Sequence, residues 1–286
     1  MLDKTRPTSC TLGELLIYQI ALTVDDGILA FHGFGSPLVQ LALHLAKRNH
    51  APNLVLIAGA TYGVNPNPPF LTPTSNDWVM SQEAECFLDI EELFDIGASG
   101  RLGRMFLSGL QIDKWGNMNV TRLGGDDRLK LKLPGGGGGC NLSCDVENIT
   151  IWTGAHRAPA DDAGRRRYRL VDTCDFVTSV GHRTVDDQAR DEMPYRGGGP
   201  DCIITDLGVF DFDDSGHARL AAVYPDTDAD LVRENTEFTF PLGEDLAMVD
   251  LPSPDMIEFI RTMDPMKIHH RELRRSDRGR SFELAA

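Results

Sequence analysis

Apolar positions along the first sixty residues switch between helical and strand periods. Thr11-Leu12-Gly13-Glu14 reads as a capping box, the threonine accepting from a first-turn N–H and the glutamate reaching back. Leu15, Leu16 and Ile20 follow at helical spacing. Ile28 to Phe31 is a short apolar strand, and His32-Gly33-Phe34-Gly35 is a turn. Ser36-Pro37 supplies an N-cap and a proline at the first helical position, where its missing donor costs nothing. Leu38, Leu41, Ala42 and Leu45 give the next helix its apolar face, and Lys47 and Arg48 complement its dipole. Pro52 breaks the chain, and Leu54 to Ala58 reads as a strand buried on both faces. Such a β-turn-α-β unit builds a parallel sheet.

Downstream, the pattern predicts a helix over Asp89–Ile96 that ends at Gly97. Met105–Ile112 and Met118–Leu123 read as strands joined by the turn Asp113-Lys114-Trp115-Gly116-Asn117. Further strands are expected at Ile149–Thr153, Asp175–Val180 and Cys202–Leu207. A hairpin is expected from Val209–Phe212 and Ala218–Tyr224 around Asp213-Asp214-Ser215-Gly216. Thr227–Asn235 and Ser253–Thr262 read as short capped helices. Asp186–Gly199 is polar and glycine-rich, hence an exposed loop, and Arg271–Arg280 is a charged, frayed stretch. The economical reading is one α/β domain over residues 1–270, an open, mixed, largely parallel sheet flanked by helices. A charged tail follows over 271–286.

Charge narrows the function. The 286 residues carry a net charge of −15, which argues against nucleic acid, whose binding draws on Lys and Arg at phosphates. The acidic excess consists of 30 Asp and 13 Glu, against 6 Lys and 22 Arg. Many short carboxylates with few lysines suit solubility in high salt, where self-repulsion is screened. The longest apolar run, Leu54–Ala60, is far too short for a bilayer span. Met1-Leu2-Asp3-Lys4 lacks a secretory pattern. A soluble, cytoplasmic protein with no membrane partner is expected. The six cysteines are irregularly spaced and read as free thiols.

The outstanding local feature is Leu133-Pro134 followed by five glycines, Gly135 to Gly139, and then Cys140. Without Cβ atoms this backbone can take positive φ and approach another molecule closely. It is a flexible connector or a cradle of N–H groups for a developing oxyanion, and spacing alone leaves both open. Cys140 as a nucleophile needs a base, and His156 and His182 are unplaced. A small buried residue closing the loop is the simpler reading. Cys140 and Cys144 have no third ligand nearby, so no metal is expected. Gly33-Phe34-Gly35 before a helix can bind phosphate, yet Leu38 stands where a dinucleotide fingerprint needs glycine. His269-His270 forms no ligand set. Asp126-Asp127, Asp161-Asp162 and Asp213-Asp214 read as solvated loops.

Several segments in one order carry a resemblance. They are Phe31-His32-Gly33-Phe34-Gly35-Ser36-Pro37-Leu38, Leu45-Ala46-Lys47-Arg48 with Ala51-Pro52-Asn53-Leu54-Val55-Leu56, and Gln111-Ile112-Asp113-Lys114-Trp115-Gly116-Asn117-Met118-Asn119. The glycine run, Asp175-Phe176-Val177-Thr178-Ser179-Val180-Gly181-His182-Arg183 and Thr205-Asp206-Leu207-Gly208-Val209-Phe210 complete the set. Together they resemble the β-type subunit of class I CoA-transferases, such as glutaconate CoA-transferase. The resemblance implies a NagB/RpiA/CoA-transferase-like fold and an α-type partner subunit, in αβ or α2β2 assemblies. It also implies a CoA ester as substrate, no bound cofactor, and a glycine loop, Gly136, Gly137, Gly138, Gly139 and Cys140, that holds the thioester oxygen. Gly33, Phe34, Gly35, Ala58, Gly59, Ala60 and Asn117 become candidates for the acyl-CoA cleft.

The sequence departs from the family at one point. The transferases carry a nucleophilic glutamate just after the strand matching Leu54–Ile57, where this chain reads Ala58-Gly59-Ala60-Thr61. No Asp or Glu occurs between Asp26 and Asp77. Neither alanine nor glycine forms an acyl intermediate. Three functions follow: hydrolysis or ring-opening C–C cleavage of a CoA ester, as in the steroid ring-opening hydrolases of the same family; transfer with the carboxylate supplied by the partner; or a non-catalytic assembly subunit. The composition also predicts a salt requirement. The melting temperature is expected to fall as molar salt is diluted to millimolar, and an unchanged value removes the halophilic reading.

Overall fold

The computed structural model describes residues 6–125 and 127–284. Met1 to Lys4 and Asp126 of the Asp126-Asp127 run lie outside them. Six α-helices occur among the described residues: α1 (Leu12–Leu22), α2 (Pro37–Asn49), α3 (Ile90–Ala98), α4 (Gly139–Asp145), α5 (Ala229–Asn235) and α6 (Pro254–Met263). None is long and apolar enough to cross a membrane. The chain divides into two compact units, residues 1–92 with 250–286, and residues 93–249.

In the first unit, Leu29–Phe31 and Val55–Ile57 lie parallel, with Phe31 opposite Ile57. The crossover between them contains α2. Gly63–Val64 and Cys86–Phe87 extend this sheet antiparallel. The α1 capping box forms as the sequence predicts: Thr11 N–H donates to Glu14 Oε2 at 2.7 Å and Glu14 N–H to Thr11 Oγ1 at 3.3 Å. Leu12, Leu15, Leu16, Ile17 and Ile20 of α1 are fully buried, as are Leu38 and Leu41 of α2. Helices α1 and α2 pack on each other, and α6 packs on α2. Burying each of these aliphatic side chains stabilises the fold by about 1.5–3 kcal/mol.

The tail is anchored rather than frayed. Ser281–Glu283 pairs antiparallel with Ser9–Thr11, and Leu273 and Phe282 are buried. The charges in Arg271–Arg280 hid the apolar anchors Leu273 within the stretch and Phe282 after it.

In the second unit, Arg104–Leu107, Asn148–Thr153 and Pro200–Thr205 form a parallel core. Gly208–Phe212 and Ala218–Val223 continue it antiparallel, and Leu242–Met248 joins parallel at the edge. The sheet is thus mixed, as expected. Three local expectations fail. Met105–Ile112 breaks after Leu107, and Met118–Leu123 splits into Met118–Asn119 and Arg122–Leu123. Asp175–Val180 is no strand: one isolated β-bridge joins Ser179 to Met118, Thr178 N–H also donates to Met118 O, and the Asp175 and Thr178 side chains bond Gln111, Gly124 and Val120. Nor is Asp186–Gly199 wholly exposed. Arg190 is buried and donates to the carbonyls of Ser143, Val180 and Gly197. Its long side chain satisfies a loop that has no ladder of its own.

The turn after Gln111–Ile112 depends on one carboxylate. Asp113 Oδ1 accepts from the N–H groups of Trp115 (2.9 Å) and Asn117 (3.0 Å), and Oδ2 from Asn117 Nδ2 (2.9 Å). Burial pushes its pKa up to about 6 despite these donors. Asp113→Ala strands all three donors and is expected to cost about 1–3 kcal/mol or more. Denaturant titration checks this, and an unchanged midpoint would remove the turn's dependence on Asp113.

Candidate functional site

In the first unit two turns lie side by side because their strands are parallel and in register. One is His32-Gly33-Phe34-Gly35 and the other runs from Ala58 to Gly63. A Cβ on Gly59 would collide with the His32 carbonyl and lie 2.6 Å from that of Gly33. Only glycine fits there. Gly59 N–H donates to the buried His32 ring, 3.1 Å from Nε2, while His32 Nδ1 lies 3.1 Å from the Gly33 carbonyl. A hydrogen on Nδ1 satisfies both contacts. Burial holds this imidazole neutral, its pKa lowered to about 4.

The second turn stores strain. Ala60 has φ +72° and Tyr62 φ +55°, conformations that cost a non-glycine residue about 1–2 kcal/mol. Tyr62 N–H to Ala58 O and Ala58 N–H to Gly63 O, both 2.9 Å, hold it closed. The Thr61 hydroxyl is buried there without a partner among the described residues.

At the tip of the first turn Phe34 is 73% exposed. Gly35, at φ +72°, donates its N–H to Ser75 Oγ at 3.2 Å. Ser36 sits at the N-cap of α2 as predicted but makes no capping bond. The acceptor comes instead from Glu272, whose Oε2 lies 2.8 Å from the Leu38 nitrogen. Burial raises the Glu272 pKa to about 8, and the Leu38 N–H pulls the other way.

In the second unit the glycine run is an ordered loop. Gly135 N–H donates to Val120 O at 2.9 Å, and Gly139 N–H to Gly136 O at 2.8 Å. Between them, the N–H groups of Gly136, Gly137 and Gly138 have no partner among the described residues. Gly137 has φ +51° and Gly138 φ −78°. Such alternation of hand turns successive N–H groups toward a common anion. Side chains are excluded nearby: a Cβ on Gly136 would lie 2.7 Å from Thr178 Cγ2, and one on Gly138 2.6 Å from Phe94 Cζ.

Cys140 is half-buried in the first turn of α4, not a buried plug. Its Sγ lies 3.4 Å from Gly137 O and from Asn141 Oδ1. Neither candidate base reaches it. His156 is fully buried between Thr205 Oγ1 (3.0 Å) and Thr236 Oγ1 (2.9 Å), and His182 Nε2 bonds Pro200 O at 2.7 Å. Asn117 is also spent internally, its Oδ1 accepting from Gly181 N–H and its Nδ2 donating to Asp113. It is buried and shapes the turn from inside.

The fold has counterparts among solved structures. Solved structures that share it include the decarboxylase AibA/AibB, with TM-score 0.77 and 28% identity, covering 92% of this chain and 98% of that one. Glutaconate CoA-transferase from Acidaminococcus fermentans gives TM-score 0.75 and 25% identity, covering 93% and 98%. Among sequences, the B-type subunit of 3-oxoadipate CoA-transferase from Pseudomonas knackmussii is 27% identical over 88% of this chain and 92% of its own. The corresponding B-type subunit of glutaconate CoA-transferase from Acidaminococcus fermentans is 28% identical, over 90% and 94%. The cholesterol ring-cleaving hydrolase IpdB subunit of Rhodococcus jostii is 28% identical, over 66% and 70%. No protein-family model matches the chain. In sequence and fold the chain is similar to the B-type subunits of class I CoA-transferases, as its motifs indicated.

Sequence reasoning missed His32 as the acceptor for Gly59, Phe94 and Thr178 as walls of the glycine loop, and Glu272 as the α2 cap. His32 and Thr178 stood in recognised motifs, and Phe94 and Glu272 did not. Glu272 predicts a pH dependence. A carboxyl whose folded pKa is raised contributes stability that is present below its ordinary 4.5 and lost as pH climbs through about 8. Glu272→Gln keeps an acceptor for Leu38 and deletes the titration. Wild type is therefore expected to lose stability relative to the variant between pH 5 and 8.5 in denaturant titrations. A constant difference would overturn this assignment.

Proposed function

We propose that the chain is the B-type half of a heteromeric acyl-CoA enzyme that cleaves its substrate by hydrolysis or C–C scission, with no acyl group carried on this subunit. One observation supports it most: three successive free N–H groups at Gly136–Gly138 in a chain with no Asp or Glu between Asp26 and Asp77. In this reading the glycine loop acts as the oxyanion cradle without a covalent nucleophile on this subunit.

In the hydrolytic form a general base removes a proton from water and the resulting hydroxide adds to the thioester carbonyl. The carbonyl oxygen takes the negative charge, and the N–H groups of the glycine loop stabilise it, an effect worth about 2.7–4 kcal/mol for one such donor elsewhere. Collapse expels the CoA thiolate, which takes up the proton. In ring opening the hydroxide adds instead to a ring ketone of the acyl group, the bond from that carbonyl carbon to its ring neighbour breaks to leave a carboxyl group, and the carbanion formed takes up the proton, with the thioester left intact. The base belongs to the α-type partner in this reading. The IpdB subunit is named for ring-cleaving hydrolysis and AibA/AibB for decarboxylation, so this fold is associated with chemistry other than CoA transfer. CoA transfer with a partner carboxylate is the second reading, favoured by the names of the two transferase relatives.

The test pairs the chain with its α-type partner and assays acyl-CoA turnover in water and with carboxylate acceptors. Turnover without acceptor, and no borohydride- or hydroxylamine-trapped ester on this chain, are the expected results. An enzyme-bound ester here would sink the proposal. A pair that binds no CoA ester would favour an assembly role. Gly138→Val drives a branched side chain against Phe94 and is expected to cut turnover at least a hundredfold with assembly retained. Unchanged turnover would return the loop to a connector.

A further inference from the structure

The first unit contains a cavity of about 590 Å³ that the reading above does not use. Thr11 and Glu14 line it from the start of α1, Ile260 and Arg261 from α6, and Asp264, Lys267 and His270 from the corner that follows. Its volume suits a small metabolite. Glu14 and Asp264 balance Arg261 and Lys267 in charge, and His269 Nε2 at its wall is buried with no partner among the described residues, but the carboxylates are spent. Both Glu14 oxygens are taken, by Arg261 Nε (2.7 Å) and Nη2 (3.1 Å) and by the Thr11 N–H. Both Asp264 oxygens are taken as well, Oδ1 by Ile268 N–H (2.8 Å) and Oδ2 by His269 N–H (3.0 Å) and Nδ1 (2.7 Å). Burial pushes the Asp264 carboxyl up, but these bonds outweigh it and hold its pKa below the ordinary value.

The donors are not used up. Lys267 Nζ, Arg261 Nη1 and the His270 ring have no hydrogen-bond partner among the described residues. Lys267 is also held in place: its φ is +52°, and its N–H and C=O bond Asp264 O and His270 N–H. A strained lysine kept at the mouth of a cavity is an outlier that calls for a role. The wider charge pattern agrees. Residues 261–280 hold seven Lys or Arg against three Asp or Glu, in a chain of net charge −15.

We propose that this cavity is a binding site for a phosphate-bearing small molecule, with Lys267, Arg261 Nη1 and His270 as its donors. The groups around His270 give the site its own reporter. Burial, then His269, Lys267 and Arg278 lower its pKa, and only Asp264 opposes them. A bound phosphate cancels the cationic field and raises it.

The experiment titrates the full chain with pyrophosphate and, separately, with adenosine 3′,5′-bisphosphate, reading heat and the His270 ring protons by NMR across pH. Saturable binding and an upward move of the His270 midpoint are expected. Lys267→Gly removes the cation and relieves the left-handed strain, so it should melt no lower than the parent and bind at least tenfold more weakly. Lys267→Arg should retain binding. Tighter binding of the bisphosphate identifies a nucleotide as the ligand, and equal binding identifies the phosphate group alone. No saturation by either probe, equal affinity in Lys267→Gly, or a static His270 midpoint overturns the proposal.

Discussion

The constraint on which the first unit's candidate surface depends is the approach of one backbone to another at Gly59. The parallel pair Leu29–Phe31 and Val55–Ile57 brings two turns out at the same end. They close onto each other only because residue 59 has no Cβ and because a neutral, buried His32 accepts its N–H. In open α/β sheets the carboxyl ends of parallel strands are where ligands bind. Ala60 and Tyr62 take left-handed backbone beyond that contact, a strain that the paired turns hold in place.

The second unit solves a different problem by similar means. Five glycines would be a loose connector on composition alone. Here the run is pinned at both ends, at Gly135 by Val120 and at Gly139 by its own turn, and Phe94 and Thr178 crowd it. Pinning turns conformational freedom into a fixed set of free N–H groups, the condition for electrostatic work without reorganisation. The supporting turn, in which Asp113, Asn117 and Gly181 bond one another, is buried and satisfied.

Local signals were read well where chemistry is local. The capping box at Thr11, the helix after Ser36-Pro37, the parallel strands around it and the hairpin at Asp213–Gly216 all appear. Misreadings occurred where a distant partner decides. Asp175–Val180 has the apolar content of a strand, yet it pairs at a single β-bridge, Ser179 to Met118, and is held otherwise by bonds of Asp175 and Thr178, Thr178 also walling the glycine loop. Ser36 has the identity of a cap, but Glu272 does the capping from across 234 positions. Cys140 read as a small buried residue because free cysteine is among the most buried residue types, and in the first turn of α4 it is half-buried.

By itself, the sequence determined most of the element types, the acidic balance, the family likeness and the lack of a carboxylate after the strand ending at Ile57, because periodicity, charge and motif order are properties of the chain. Tertiary structure decided which donors are left free, at Gly136–Gly138 and around Lys267, and which polar groups are consumed, such as Asn117, His156 and Glu14. A hydrogen bond is a relation between two groups. Whether a group is spent or available depends on what folding places beside it, and no spacing along the chain specifies that.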